Sequence, residues 1–142
     1  MSTSSIHFQR ADYRFAEKHN SRQTERQPSY LLPEDKRQRN EFVKLADVQT
    51  LHEKQIEYRR LTHARGRAPT LTDSYWEAVV NLNSEHTIDD VRRVAEHIRQ
   101  KYKFTPTSIA IHRDEGYVDK VTGEVKYNYH AHLTFYTIAN GR

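Results

Sequence analysis

The sequence contains no cysteine. That excludes a disulfide framework and any thiolate metal site, and it fits a reducing compartment. It also lacks an unbroken apolar run of about 18 residues, so no transmembrane helix is expected. The N-terminal stretch MSTSSIHFQR has no apolar core of the kind a secretory signal needs. Together these absences point to a soluble, cytoplasmic chain. Hydrophobic residues make up only 35% of it and mean hydropathy is −1.00. Yet nine Tyr and five Phe recur in periodic segments, which disordered chains lack. The 142 residues suffice for one domain with a modest core.

Charge is distributed unevenly. Residues 1–67 carry 14 Lys/Arg against 9 Asp/Glu, whereas residues 68–142 carry 9 against 10. The basic excess therefore lies wholly in the N-terminal half. Arg10, Arg14, Lys18, Arg22 and Arg26 recur every four residues, and a second cluster, RRLTHARGR, includes Arg65 and Arg67. A positive half of this kind suits a phosphate backbone, although a run of charges also suits a solvated helix face.

Residues 5–11 read as a short strand. Residues 12–40 are polar, are interrupted by Pro28 and Pro33, and hold one helical turn around 13–19. A helix is expected from Asn40 to about His63, exposed on one side. SYWEAVVNL, residues 74–82, alternates Trp76, Ala78, Val80 and Leu82 on one face and reads as a strand. The stretch TIDDVRRVAEHIRQKYK opens with a capping-box pair, Thr87 and Asp90, and carries the apolar stripe of a helix over 88–103. Residues 107–115 and 130–139 read as two more strands, joined by a hairpin arm that turns at Thr122–Gly123. The expected fold is α+β: an antiparallel central sheet of about four to five strands with helices packed on one face.

Two histidines stand one residue apart in NYHAHLTFY, residues 128–136. A strand has a side-chain period of two, so His130 and His132 share a face, while Ala131, Leu133 and Phe135 face the core. On the preceding strand Thr107, Ile109 and Ile111 face the core, which leaves Ser108, Ala110, His112 and Asp114 opposite. If the two strands pair, three imidazoles converge on one polar sheet face. Three such ligands can hold one divalent metal with positions left open. Each would need an acceptor to fix its tautomer, and Asp114 and Glu115 are the nearest candidates in sequence.

These residues resemble a family. His–hydrophobic–His on a strand is the signature of HUH endonucleases, which nick single-stranded DNA. More narrowly, IHRDE followed by HAHLTF resembles the H-x-D-E and H-x-H motifs of the plasmid Mob/Pre (MobV-like) mobilisation relaxases, and FAEKHNSR, residues 15–22, resembles their N-terminal H-N-x-R. The resemblance covers roughly residues 6–138. It implies a HUH relaxase sandwich and a single relaxase domain over residues 1–142. The family carries more sequence beyond the H-x-H strand, so the chain reads as C-terminally truncated.

The resemblance also implies a mechanism. His112, His130 and His132 would bind Mn²⁺ or Mg²⁺, which would polarise the scissile phosphate. A nucleophile would attack phosphorus and leave a covalent 5′-phosphoryl protein–DNA link. In the Mob/Pre group that nucleophile is the histidine of H-N-x-R, here His19. Glu115 would orient or deprotonate it or support the metal, and Arg22 would contact a phosphate. A tyrosine nucleophile, Tyr13 or Tyr30, stays open, as it would be in a replication initiator. The expected partner is single-stranded or hairpin origin DNA on a supercoiled plasmid, with no membrane and no small-molecule substrate. The basic residues Arg10, Arg14, Lys18, Arg22, Arg26, Arg65 and Arg67 would hold it, with aromatic residues interleaved.

The chain departs from the family between Glu115 and His130, where Gly116–Tyr129 intervene and Tyr129 stands in place of a proline. A hairpin inserted at the strand ends would leave the sheet intact. Two readings of other classes remain. One is a non-catalytic DNA-binding module of the same fold. The other is the facial triad of a non-haem iron oxygenase, which needs a barrel of about eight strands.

Overall fold

A computed structural model describes residues 6–23 and 30–138. Its elements run β1 (Ile6–Arg10), α1 (Ala16–Asn20), a 3₁₀ turn (Glu34–Lys36), β2 (Glu41–Lys44), α2 (Val48–Leu61), α3 (Leu71–Ser74), β3 (Tyr75–Asn81), α4 (Ile88–Tyr102), β4 (Thr105–His112), β5 (Gly116–Val118), β6 (Val125–Tyr127) and β7 (His130–Tyr136). Five strands form one antiparallel sheet in the order β1-β3-β7-β4-β2, and β5 pairs with β6 in a separate hairpin. The α+β class and the antiparallel sheet expected from the sequence are present.

Period-two patterning explains the sheet. Ala78 and Val80 of β3, Ile109 and Ile111 of β4, and Ala131, Leu133 and Phe135 of β7 are buried on one face. Helix α4 covers that face with Val91, Ala95 and Ile98. Each large side chain buried there stabilises the fold by roughly 1.5–3 kcal/mol. The helix opens at its capping box, where the Thr87 backbone N–H donates to Asp90 Oδ2 (2.8 Å). It closes at Lys103, which takes the left-handed conformation (φ 63°).

The other face is polar towards β1 and β2 and aromatic at one end, where Val48 and Leu51 of α2 pack with Tyr75 and Tyr136. Helices α1 and α2 both meet this second face.

One expected element divides in two. The helix read over Asn40–His63 begins as strand β2, paired with β4 from Glu41↔Ile111 to Lys44↔Ser108, and becomes helical only at Val48. Asp47 is the reason: it caps α2 by accepting from Thr50 N (3.1 Å). The four residues ahead of that cap-forming stretch alternate half-buried and exposed, as an edge strand does. A bulge between Pro106 and Ser108 is a second departure. It turns Thr107 away from its expected apolar side to share a hydrogen bond with Thr134 Oγ1 (2.6 Å).

Candidate metal centre

Strand register brings the three histidines together. His112 of β4 lies opposite His130 of β7, and Ala110 lies opposite His132. The imidazole centroids are 4.6–5.1 Å apart. One nitrogen from each ring lies within 4.8 Å of the other two. His112 is fully buried and His130 nearly so, while His132 opens towards a groove.

Each ring has one nitrogen committed to an acceptor. His112 Nε2–H donates to the Asn20 carbonyl (2.7 Å), His130 Nδ1–H to the Asn128 carbonyl (3.1 Å) and His132 Nδ1–H to Glu77 Oε1 (3.0 Å). That fixes three tautomers and leaves His112 Nδ1, His130 Nε2 and His132 Nε2 with free lone pairs. The bare nitrogens of His112 and His130 are 3.3 Å apart, and Glu115 Oε2 lies 3.1 and 3.2 Å from them. Electron-rich atoms crowded this closely call for a cation between them. The donor set is three imidazoles with fixed tautomers and an adjacent carboxylate, which fits a divalent metal.

Glu115 and Asp114 are tied to α1 through Arg22. The guanidinium donates to Asp114 Oδ2 and Oδ1 (3.1 and 3.0 Å) and to Glu115 Oε2 (2.6 Å). Asn40 adds a bond to Asp114 Oδ2 (2.8 Å). Burial alone would raise the Glu115 carboxyl, but a proton shared with His112 and His130 where a cation would otherwise sit, together with the Arg22 guanidinium, outweighs it and holds it well below the usual range. Asp114 is lowered in the same way: burial opposes, and Arg22 and Asn40 win. Arg22 reaches this position from a left-handed backbone conformation (φ 62°), uncommon for a residue with a side chain.

His19 stands on α1 at the rim of an open groove of about 520 Å³ that Gln9, Phe15, Asn20, Glu77 and His132 also line. Its Nε2 accepts from the Tyr30 hydroxyl (3.2 Å), and the Arg22 guanidinium lies over the Tyr30 ring (6.0 Å). Partial burial lowers the His19 pKa first, and the Arg22 guanidinium with the neighbouring His112 and His132 lowers it further against the pull of Glu77. Tyr13 does not face this groove; it packs beside Val48, Tyr75 and Tyr136. Of the two tyrosines weighed from the sequence, Tyr30 is the one in contact with His19. Glu115 contacts the triad and Arg22, and no bond joins it to His19 among the described residues.

The remaining basic candidates scatter. Arg10 pairs with Asp73 (3.1 Å) and lies over Trp76, and Arg14 pairs with Asp12 (3.0 Å). Lys18 is exposed on α1, Arg22 is taken up by Asp114 and Glu115, and Arg65 and Arg67 are exposed in the loop after α2. Arg26 falls outside the described residues.

Three contributors had no role legible in the sequence, although Asn20 is the asparagine of the H-N-x-R segment. Glu77 orients His132 while accepting from Asn20 Nδ2 (2.9 Å) and Gln9 Nε2 (3.2 Å). Asn20 serves both Glu77 and His112. Asn40 ties Asp114 to the Arg113 backbone N–H (2.7 Å). One signal was available for Glu77: a carboxylate at mid-strand, on the face opposite Trp76, Ala78 and Val80.

No protein-family model matches the chain, and no curated protein matches it. Among solved structures, the chain is similar to the MobM relaxase domain (MOBV; Mob_Pre) bound to plasmid pMV158 oriT DNA, in a manganese-bound crystal structure. The TM-score is 0.60 at 18% identity, over 99% of this chain and 74% of that one. A second manganese-bound crystal structure of the same domain with oriT DNA gives 0.59 at 18% identity, over 99% and 73%. The likeness is one of fold: the five-stranded antiparallel sheet with its helices is that of a relaxase domain.

Proposed function

We propose that the chain is a metal-dependent, strand-specific DNA-nicking enzyme of the relaxase type, acting at a plasmid origin of transfer. The observation that carries this reading is the triad itself: three imidazoles with committed N–H groups and inward lone pairs, beside a histidine on a groove. The shared fold with a manganese-bound, DNA-bound relaxase domain supports it.

His112, His130 and His132 would hold Mn²⁺ or Mg²⁺. When bound, the ion supplies positive charge for the non-bridging oxygens of the scissile phosphate. Asn20, Asn128 and Glu77 keep the three rings in the ligating tautomer. Glu115, drawn close by Arg22, balances the charge at the centre.

His19 is the nucleophile in this reading. Its lowered pKa keeps the ring neutral near pH 7, with a lone pair on Nε2 once the Tyr30 hydroxyl withdraws. The nitrogen forms a bond to phosphorus, the P–O3′ bond breaks, and the 3′-oxygen leaves and takes up a proton. The product is a 5′-phosphoryl link on His19 and a free 3′-hydroxyl, and the reverse step reseals the strand. Tyr30 is the alternative nucleophile at this position, and Tyr13 would have to leave its apolar packing to act.

The test is cleavage of supercoiled plasmid and of a mixed-sequence single-stranded library, with Mn²⁺ and with a chelator. The reading expects nicked circles and cleaved strands retained by covalently attached protein, only with metal, and none from His132→Ala. Binding of DNA with no cleavage under any divalent metal would replace the enzyme by a binding module. The oxygenase reading has no support in the architecture, which is an open five-stranded sheet among the described residues.

A further inference from the structure

The groove at His132 also holds an exposed aromatic ring. Phe15 is 58% exposed, while its near neighbours Tyr13 and Ala16 pack inward against Val48, Tyr75 and Tyr136. Phe15 itself belongs to neither core cluster. It lies one helical turn ahead of His19, whose backbone N–H donates to the Phe15 carbonyl (2.9 Å). Residues at that spacing share one helix face, with Cβ atoms about 5–6 Å apart. Both side chains line the same open groove of about 520 Å³, and His132 lines it too.

The surroundings of the ring suit a nucleotide. The Arg14 guanidinium lies over one face of Phe15 (5.4 Å) and is itself held by Asp12 through two side-chain bonds (3.1 and 3.0 Å). The cation braces the ring from one side. No second ring or cation stacks on it among the described residues, so the other face is open. The carboxylates that line the groove are already engaged. Asp12 serves Arg14, and Glu77 accepts from His132, Asn20 and Gln9. No free carboxylate of the groove opposes an entering phosphate.

We propose that Phe15 is the stacking platform for an unpaired base of the nucleotide next to the scissile phosphate, and that it positions the strand for His19. A phenyl face accepts any base, because every base offers a π-face. With the base held on Phe15, the phosphate joined to it falls to the residue one turn further on, which is His19. A duplex keeps its base faces stacked internally, so the platform selects a single strand. This inference rests on the reading of DNA as substrate. It gives that reading a contact that depends on the base and not on charge, which the paired and scattered arginines do not supply.

The test measures binding of a fluorescent mixed-sequence DNA library by anisotropy, as single strands and as duplex, over a range of salt concentrations. A chelator is present so that no strand is cut. Wild type, Phe15→Ala and Phe15→Trp are compared, and calorimetric Mn²⁺ binding checks separately that each keeps the metal centre. Phe15→Ala should weaken single-strand binding about tenfold. The slope of log affinity against log salt should not change, since no phosphate contact is lost. Duplex binding should stay as in wild type, and Phe15→Trp, which keeps a ring face, should restore the single-strand affinity. Irradiation of bound strands carrying iodouracil, which couples to an aromatic ring stacked on it, should give an adduct that maps to Phe15. A Phe15→Ala chain that binds single strands like wild type, or that loses duplex binding equally, would overturn the platform while leaving DNA as substrate. Loss that Phe15→Trp does not restore, or adducts that map only elsewhere, would overturn it too. A wild-type chain that binds neither form of DNA would overturn both the platform and the reading it rests on.

Discussion

Glu77 is a carboxylate in the middle of β3, only 6% exposed. Burial alone would push its pKa up, but bonds from His132, Asn20 and Gln9 outweigh that and keep it ionised. Its role is to hold His132 Nδ1–H, so that Nε2 points to the centre. Glu77→Gln keeps the shape and removes the charge. Mn²⁺ affinity should fall by about 10–100-fold, read by calorimetry, with melting little changed. Unchanged affinity would remove Glu77 from the account. His19 gives a second prediction at this scale. In the proposed reaction its ring acts when neutral, and its pKa lies below the ordinary histidine value of 6.5. Falling pH adds the proton that blocks the lone pair, so the single-turnover rate of adduct formation should fall towards acid with its midpoint below the ordinary histidine value. A rate that climbs as the pH falls would contradict a histidine nucleophile.

At the scale of elements, the site depends on β4 and β7 staying in register while the arm loops out between them. Leu133 is fully buried on the core face of β7, next in sequence to His132. Leu133→Ala should cost about 2–5 kcal/mol in denaturant unfolding. Gly116→Ala forces a methyl group against the Lys126 carbonyl, so it should destabilise by about 1–3 kcal/mol and weaken Mn²⁺ binding through Asn128 and His130. A variant as stable as wild type would show that the arm is not fixed at its root. The triad was legible because a period of two puts His130 and His132 on one face whatever surrounds them. The hairpin was legible from its Thr-Gly turn, and α4 from its capping box and stripe. Strand β2 was not: EFVK is four residues long, sits in a polar stretch and runs into a helix, so only its pairing with β4 defines it. The roles of Asn20, though it sits in the H-N-x-R segment, and of Asn40 were not legible either, because an asparagine's role is set by the partners that folding brings, here more than fifty residues away in sequence. Tyr30 and Tyr13 looked alike in sequence, and only the packing of Tyr13 against Val48, Tyr75 and Tyr136 separates them.

Over the whole molecule, the basic excess belongs to the N-terminal half, which supplies α1, the Lys36–Arg39 segment and α2. No described helix is long and apolar enough to cross a membrane. A fold shared with an oriT-bound relaxase domain and a preformed histidine centre leads to one central claim: a nitrogen of this chain becomes bonded to DNA phosphorus in a metal-dependent step. The measurement that tests it most directly is the chemistry of the covalent adduct. Wild type, His19→Ala and Tyr30→Phe would be incubated with the single-stranded library and Mn²⁺, and the captured adducts exposed to acid and mapped by mass spectrometry. The account predicts an adduct on His19 that acid releases, absent from His19→Ala and present in Tyr30→Phe. An acid-stable adduct on a tyrosine, or one that forms equally well in His19→Ala, would contradict it.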